Sequence, residues 1–200
     1  MVKILIASHN RGKLGEFAAI LPQLEADLVT PADLGLTLEV VEEGATYAGN
    51  ARLKAVAFAH ASGLLTLGDD SGLEVDALGG GPGLYSARYA GKGASDADCR
   101  AKLMQELRHT PEPRPARFRC AIAVVRPGGE VAVFEGTCEG QIILEERGVN
   151  GFGYDPIFFL PEYGRTLAGL PSELKNRISH RARAALAALP YLAGLLRDKL

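Results

Sequence analysis

One stretch near the start narrows what this chain can fold into more than any other feature. Val2 to Ala7 is an apolar run with β-branched members, broken only by Lys3, and it reads as a strand buried on both faces. Ser8-His9-Asn10-Arg11-Gly12-Lys13 follows, and then Leu14, Phe17, Ala18 and Leu21 recur at helical spacing up to Pro22. The order is strand, polar loop, helix. A strand covered on both faces obliges the rest of the chain to supply a layer on each side. A helix start also carries unpaired N–H groups and a partial positive charge, which attract phosphate. Ser8 and Asn10 add donors there and Lys13 a full charge, although Ser8 or Asn10 equally reads as a plain helix cap. The loop lacks the G-x-x-x-x-G-K-[ST] spacing of a Walker A motif.

A second apolar run, Leu64 to Leu67, leads into Gly68-Asp69-Asp70-Ser71-Gly72. The pattern predicts a buried strand that delivers Asp69 and Asp70 to its exposed C-terminal end, with Gly72 turning the chain away. Adjacent carboxylates repel each other. A hard divalent cation such as Mg2+ takes one or two carboxylates plus waters and substrate phosphates, and would relieve them. Taken alone, the same dipeptide also reads as a solvated turn.

A length of 200 residues fits one domain or two fused lobes, enough to bury roughly 70% of the unfolded surface without staples. Formal charge is −2 and the pI about 6.1, which argues against a broadly basic surface for nucleic acid. Cys99, Cys120 and Cys138 are far apart, with no C-x-x-C pair, and suit free thiols in a reducing compartment. The N-terminal run is too short for a signal peptide. The longest apolar region, Ala184 to Leu196, is interrupted by Pro190 and cannot span a bilayer. The expectation is a cytoplasmic protein with neither nucleic acid nor membrane as a partner.

Along the remainder, Ala26 to Thr30 is expected as a strand, and Leu36 to Val41 as an extended stretch running into Glu42-Glu43-Gly44. Thr46 opens a helix ending near Gly63, with Ala51, Val56, Ala57 and Phe58 among its apolar members, and Asn50 and Lys54 one turn apart on one face. Glu42, Glu43 and Lys54 each also read as solvated surface residues. Gly79-Gly80-Gly81-Pro82-Gly83 reads as a flexible loop and does not match the dinucleotide fingerprint. Asp96 to Leu107 is a predicted helix. Arg117 to Arg126 and Glu130 to Cys138 flank Pro127-Gly128-Gly129 as a long β-hairpin. In Asn150-Gly151-Phe152-Gly153-Tyr154-Asp155-Pro156, the flanking glycines leave room for a flat ring against Phe152. Stacking on a base contributes about 1–3 kcal/mol whatever the base; the alternative is a core phenylalanine on a glycine-rich turn. Ser172 to Ile178 suggests a short helix with Ser172 as N-cap, carrying Lys175. Ser179 is expected to cap a further helix, with His180 and Arg181 in its first turn, where cations oppose the helix dipole.

In series, these loops resemble the inosine triphosphate pyrophosphatase family, hydrolases of non-standard purine nucleoside triphosphates. The matching pieces are S-H-N-R-G-K-L-x-E-F from Ser8, G-D-D-S-G-L-x-V-D-A-L from Gly68, P-G-L-Y-S-A-R-Y-A-G from Pro82, F-G-Y-D-P-I-F from Phe152, and Ser179-His180-Arg181. One departure stands out: Thr46-Tyr47-Ala48-Gly49-Asn50-Ala51 replaces the usual T-F-x-E-N-A, so Gly49 removes the acidic partner of a Thr46 capping box.

The resemblance implies an elongated α/β fold over residues 1–200, with a central mixed sheet flanked by helices and the active-site cleft between two lobes. It also implies a homodimer, and Mg2+-dependent hydrolysis of ITP, dITP or XTP to the monophosphate and pyrophosphate. Asp70 would ligate Mg2+ and help deprotonate the attacking water. Glu42 would be the second acidic ligand, with Glu43 as the alternative and Asp69 as a support for Asp70. The triphosphate would lie against Ser8, His9, Asn10, Arg11, Gly12, Lys13, Lys54 and Ser71. Phe152 would stack on the purine, and Gly153, Tyr154, Asp155, Lys175, His180 and Arg181 would be further substrate-binding residues. A donor from Arg181 or His180 to the base O6 would accept hypoxanthine and xanthine and reject adenine. Two other readings compete. A septum-inhibition-type nucleotide pyrophosphatase typically opens with S-x-R-R, which Ser8-His9-Asn10-Arg11 does not match. A non-catalytic nucleotide sensor would have no need of Asp70.

Overall fold

The computed structural model describes residues 2–197, and the side chain of Arg11 lies outside the described part. The chain runs β1 (Val2–Ile6), α1 (Arg11–Ile20), β2 (Ala26–Val29), α2 (Tyr47–Ser62), β3 (Leu65–Val75), α3 (Asp96–Leu107), β4 (Pro115–Val125) and β5 (Val131–Ile142). It continues through β6 (Phe158–Leu160), β7 (Arg165–Thr166), α4 (Ser172–Ile178) and α5 (His180–Arg197). Among the described residues the strands form one seven-stranded sheet in the order β2-β1-β3-β4-β5-β6-β7. β1 pairs parallel with β2 and β3, whereas β6 pairs antiparallel with β5 and β7. This is the mixed α/β sheet that the resemblance implies.

The chain divides into two compact units. Within the described residues, one comprises 2–70, 120–136 and 180–197; the other comprises Ser71–Arg119 and Thr137–Ser179. In the first unit the alternation of β1 explains its double burial. Ile4 and Ile6 join Leu65, Leu67, Phe17, Ile20, Ala182, Ala185 and Ala188 on the α1 and α5 side. Leu5 and Ala7 pack with Phe58 of α2 on the other. The inner face of α2 is a row of alanines, Ala51, Ala55 and Ala59, set against Ala121, Ala123 and Val125 of β4. Small side chains let the helix approach closely. At Gly68 of β3 a Cβ would fall 2.4 Å from the Ala51 carbonyl oxygen and 2.7 Å from the Ala55 nitrogen. In the second unit, Leu73, Val75, Leu103, Leu107, Phe118, Ile157, Phe158 and Leu167 form the core.

Both ends of α2 follow their sequence signals: Thr46 Oγ1 accepts from the Gly49 N–H at 3.0 Å, and Gly63 closes the helix in the left-handed conformation. Val56 departs from expectation and faces out, 47% exposed. Leu36 to Val41 pairs with no strand; its alternate residues Leu36, Leu38 and Val40 pack beside Phe58. The glycine-rich segment is a bonded turn in place of the expected flexible loop. Val75 N donates to Gly81 O, and Gly80 N to Val75 O, both at 3.0 Å. Pro171, not Ser172, occupies the N-cap of α4. Among the described residues no helix is long and apolar enough to cross a membrane.

Candidate active site

The largest departure from the sequence reading lies in β3. The strand does not end at the carboxylates; it carries Asp69 and Asp70 through its middle and goes on to Val75, with Gly72 inside it. Both acids are buried, at 1% and 8% exposure. Strand alternation turns adjacent side chains to opposite faces, so the two carboxylates do not confront each other. Asp70 faces α2, and Asp69 faces α1 and α5.

On the α2 side, Asn50 and Lys54 both reach Asp70, as their spacing of one turn allows. Asn50 Nδ2 donates to Asp70 Oδ2 at 3.0 Å, and Lys54 Nζ lies 3.4 Å from Asp70 Oδ1. The same ammonium donates to Glu42 Oε1 at 2.7 Å, so Glu42 is no free surface acid. Burial, opposed only in part by Lys54 and Asn50, holds the Asp70 carboxyl above its ordinary pKa. Burial pulls Lys54 the other way, but the charges of Asp69, Asp70 and Glu42 outweigh it, and its pKa ends raised. Lys54 is therefore a fixed cation beside a carboxylate that is more basic than a surface one.

On the opposite face Asp69 is clamped. Lys13 Nζ lies 3.1 Å from Oδ1 and 3.0 Å from Oδ2. Arg181 donates to Oδ2 from Nε at 3.3 Å and from Nη2 at 3.1 Å, and from Nη1 to Glu16 Oε2 at 2.5 Å. Burial alone would raise the Asp69 pKa, but Lys13 and Arg181 outweigh it and hold the group well below the carboxylate range. This accounts for cations in the first turn of α5: Arg181, 2% exposed, is bound to two carboxylates.

The loop between β1 and α1 is shorter than expected, because the helix already begins at Arg11. Asn10 caps it. Its Oδ1 accepts from the Gly12 N–H at 2.8 Å and the Lys13 N–H at 3.4 Å, while Ser8 Oγ accepts from the Asn10 N–H at 3.1 Å. Those amides thus have an internal acceptor. His9 is exposed, with its ring edge toward Phe58.

The second unit holds its own buried pair. Lys175 Nζ donates to Asp155 Oδ2 at 2.6 Å, and the same oxygen accepts from the Phe152 N–H at 2.9 Å. Lys175 Nζ also lies 5.2 Å from the centre of the half-buried Phe152 ring. Gly151 has φ 79°, and a Cβ there would fall 2.0 Å from Asp155 Oδ2, so only glycine closes this turn. The neighbours make further bonds of their own. Tyr154 is a core residue whose hydroxyl donates to Ser86 O at 2.8 Å. Gly153 donates to Asp96 Oδ2 and accepts from Arg100 Nη1, both at 2.8 Å. Ser71 is half-buried within β3.

Asp70 and Glu42 offer hard carboxylate oxygens to a single cation, Lys54 Nζ. No group of three or more His, Cys, Asp or Glu suited to a metal occurs among the described residues. Two carboxylates completed by waters and phosphate oxygens fit Mg2+ and do not form a closed all-protein cage.

Residues 4–191 match the sequence pattern of the Ham1 family. The chain belongs to the Ham1 family. Among its relatives, a dITP/XTP pyrophosphatase of Desulforamulus reducens is 47% identical over 192 residues, covering 96% of each chain. A dITP/XTP pyrophosphatase of Geobacter sulfurreducens is 50% identical over 185 residues, covering 92% of this chain and 93% of the relative. The solved structure of the Staphylococcus aureus Ham1 protein superposes with a TM-score of 0.85 at 43% identity, covering 96% of this chain and 99% of that one.

Sequence reasoning missed several residues of this Ham1-family site. Glu16 lies one turn after Lys13 on α1 and binds Arg181, a spacing that was readable. Asp69 as an anchor, and Asp96 and Arg100 as holders of Gly153, left no local signal.

Proposed function

We propose that the chain hydrolyses non-standard purine nucleoside triphosphates, ITP, dITP and XTP, to the monophosphate and pyrophosphate, cleansing the nucleotide pool. One observation carries the reading. Asp70, with its raised pKa, shares the buried ammonium of Lys54 with Glu42, in a chain whose Ham1-family relatives bear the name dITP/XTP pyrophosphatase. In this reading Lys13, Lys54 and the Ser8–Lys13 segment hold the triphosphate. Asp70 takes a proton from the water that attacks the α-phosphorus. Lys13 and Lys54 offset the charge gathering on the departing pyrophosphate. Asp70 and Glu42 would hold Mg2+, which supplies charge neutralisation and orientation of the phosphates when bound. Phe152 stacks on the purine, with Asp155 and Lys175 fixing its backbone. The donor to O6 comes from Arg181 or His180, and the Arg181 guanidinium also holds Asp69.

Pyrophosphate release is measured from ITP, XTP, ATP and GTP, with Mg2+ and with a chelator. Release from ITP and XTP with little from ATP supports the reading; equal release from ATP, or nucleotide binding without release, overturns it. The family resemblance supports a homodimer, which light scattering measures. Three free buried cysteines suit the cytoplasm, which cell fractionation tests.

A further inference from the structure

We propose that Asn50 is the positioning residue of the Asp70 centre, joining the catalytic carboxylate to the segment that bears Glu42. The inference rests on the hydrolase reading above. Asn50 is 2% exposed in the first turns of α2, and both ends of its amide are engaged. Nδ2 donates to Asp70 Oδ2 at 3.0 Å, and Oδ1 accepts from the Gly44 N–H at 2.7 Å. A backbone N–H only donates and an ionised carboxylate only accepts, so the partners themselves determine which way the amide faces. Neither an ionised aspartate nor leucine at position 50 can do both.

Gly44 makes a second, independent point. A Cβ there would lie 2.6 Å from Asn50 Oδ1 and 2.8 Å from Asn50 N; the segment can reach this amide only because it is bare at that position. Gly44 lies two residues after Glu42, whose Oε1 is 2.7 Å from Lys54 Nζ. Successive turns of α2 therefore grip the same two partners twice, the 42–44 segment and Asp70. Asn50 holds Oδ2 of Asp70, which leaves Oδ1 on the Lys54 side. Without Asn50 the carboxylate is held, among the described residues, by Lys54 alone at 3.4 Å, and the Glu42 segment keeps its bond to Lys54 but loses the one at Gly44.

Two variants separate these bonds. Asn50→Asp keeps the acceptor for Gly44 and removes the donor to Asp70, while Asn50→Ala removes both. With ITP and Mg2+, kcat is expected to fall about 10- to 100-fold in Asn50→Ala, the loss of one hydrogen bond to a charged group, and at least as far in Asn50→Asp, which sets a second carboxylate against Asp70. KM should change less than about threefold, because the substrate's own contacts survive. Amide exchange at Gly44 in the nucleotide-free protein, read by NMR, should quicken about tenfold or more in Asn50→Ala and stay slow in Asn50→Asp. A kcat within threefold of wild type in Asn50→Asp, a change confined to KM, or a Gly44 amide indifferent to Asn50→Ala would overturn the inference. If wild type releases no pyrophosphate from ITP, the hydrolase reading fails instead, and the exchange measurement still tests the tether.

Discussion

Replacing Arg181 with alanine should destabilise the protein far more than removal of a surface charge. Arg181 is 2% exposed and binds Asp69 through Nε and Nη2 and Glu16 through Nη1. The variant removes from the Asp69 carboxylate, whose side chain has no exposed surface, its guanidinium partner at 3.1 Å while Lys13 stays at 3.0 Å, and takes from Glu16, 13% exposed, its ion pair with Arg181. Breaking a buried pair by deleting one partner costs about 3–5 kcal/mol. At about 2–4 °C per kcal/mol for a chain of this size, Tm should fall by about 6–20 °C. Urea unfolding at pH 7 gives the free energy directly. Asp69→Asn in the Arg181→Ala background should recover part of the loss, since an amide in that site no longer buries a charge, and a double-mutant cycle should show a coupling above about 1 kcal/mol. The sign of the pH dependence follows from the depressed Asp69 pKa. The stability it confers is complete above the unfolded aspartate value, about 3.9, and is lost as pH falls below it. The gap between wild type and Arg181→Ala should therefore be full at pH 5 to 8 and narrow below about pH 4. A loss under about 1 kcal/mol at neutral pH, with additive mutations, would refute the account of Asp69 and Arg181 as one buried unit.

Asp70→Asn should abolish ITP turnover while circular dichroism stays native, because Lys54 keeps Glu42 at 2.7 Å; near-normal turnover would remove Asp70 from its assigned role. Phe152→Ala should weaken ITP and ATP binding alike, by about 5- to 150-fold for a stacking loss of about 1–3 kcal/mol, and a changed ITP-to-ATP preference would show that the ring does more than stack. Gly49→Glu restores the acidic partner of the Thr46 cap and removes a helical glycine. A Cβ at position 49 would lie 3.2 Å from Thr46 Oγ1, so the cap must shift slightly and the gain should stay below about 1 kcal/mol, or about 2–4 °C in Tm; a lower Tm would count against the capping argument.

Elements with punctuation at both ends were legible in the sequence. Helix α2 lies between Thr46 and Gly63, and α3 spans Asp96–Leu107 as read, because caps and helical periodicity act over a turn or two and are written in adjacent residues. Asn50 and Lys54 sharing a face, and strand β1 between two packed layers, follow from period alone. The candidate site was legible as a set of residue types and much less so as a set of roles. Asp69 and Asp70 looked like a strained pair at a strand end; in the fold, β3 carries them on opposite faces.

What tertiary structure alone decided was whether those charges could be buried. Their compensation comes from Lys13, Lys54 and Arg181, which lie 56, 16 and 112 positions away in the chain, so nothing beside the aspartates records it. Tyr154 likewise owes the partner of its hydroxyl, the Ser86 carbonyl, to a residue 68 positions away. A turn or a cap is settled by neighbours in sequence, whereas the state of a buried charge is settled by whichever distant partners the fold brings within about 3–4 Å.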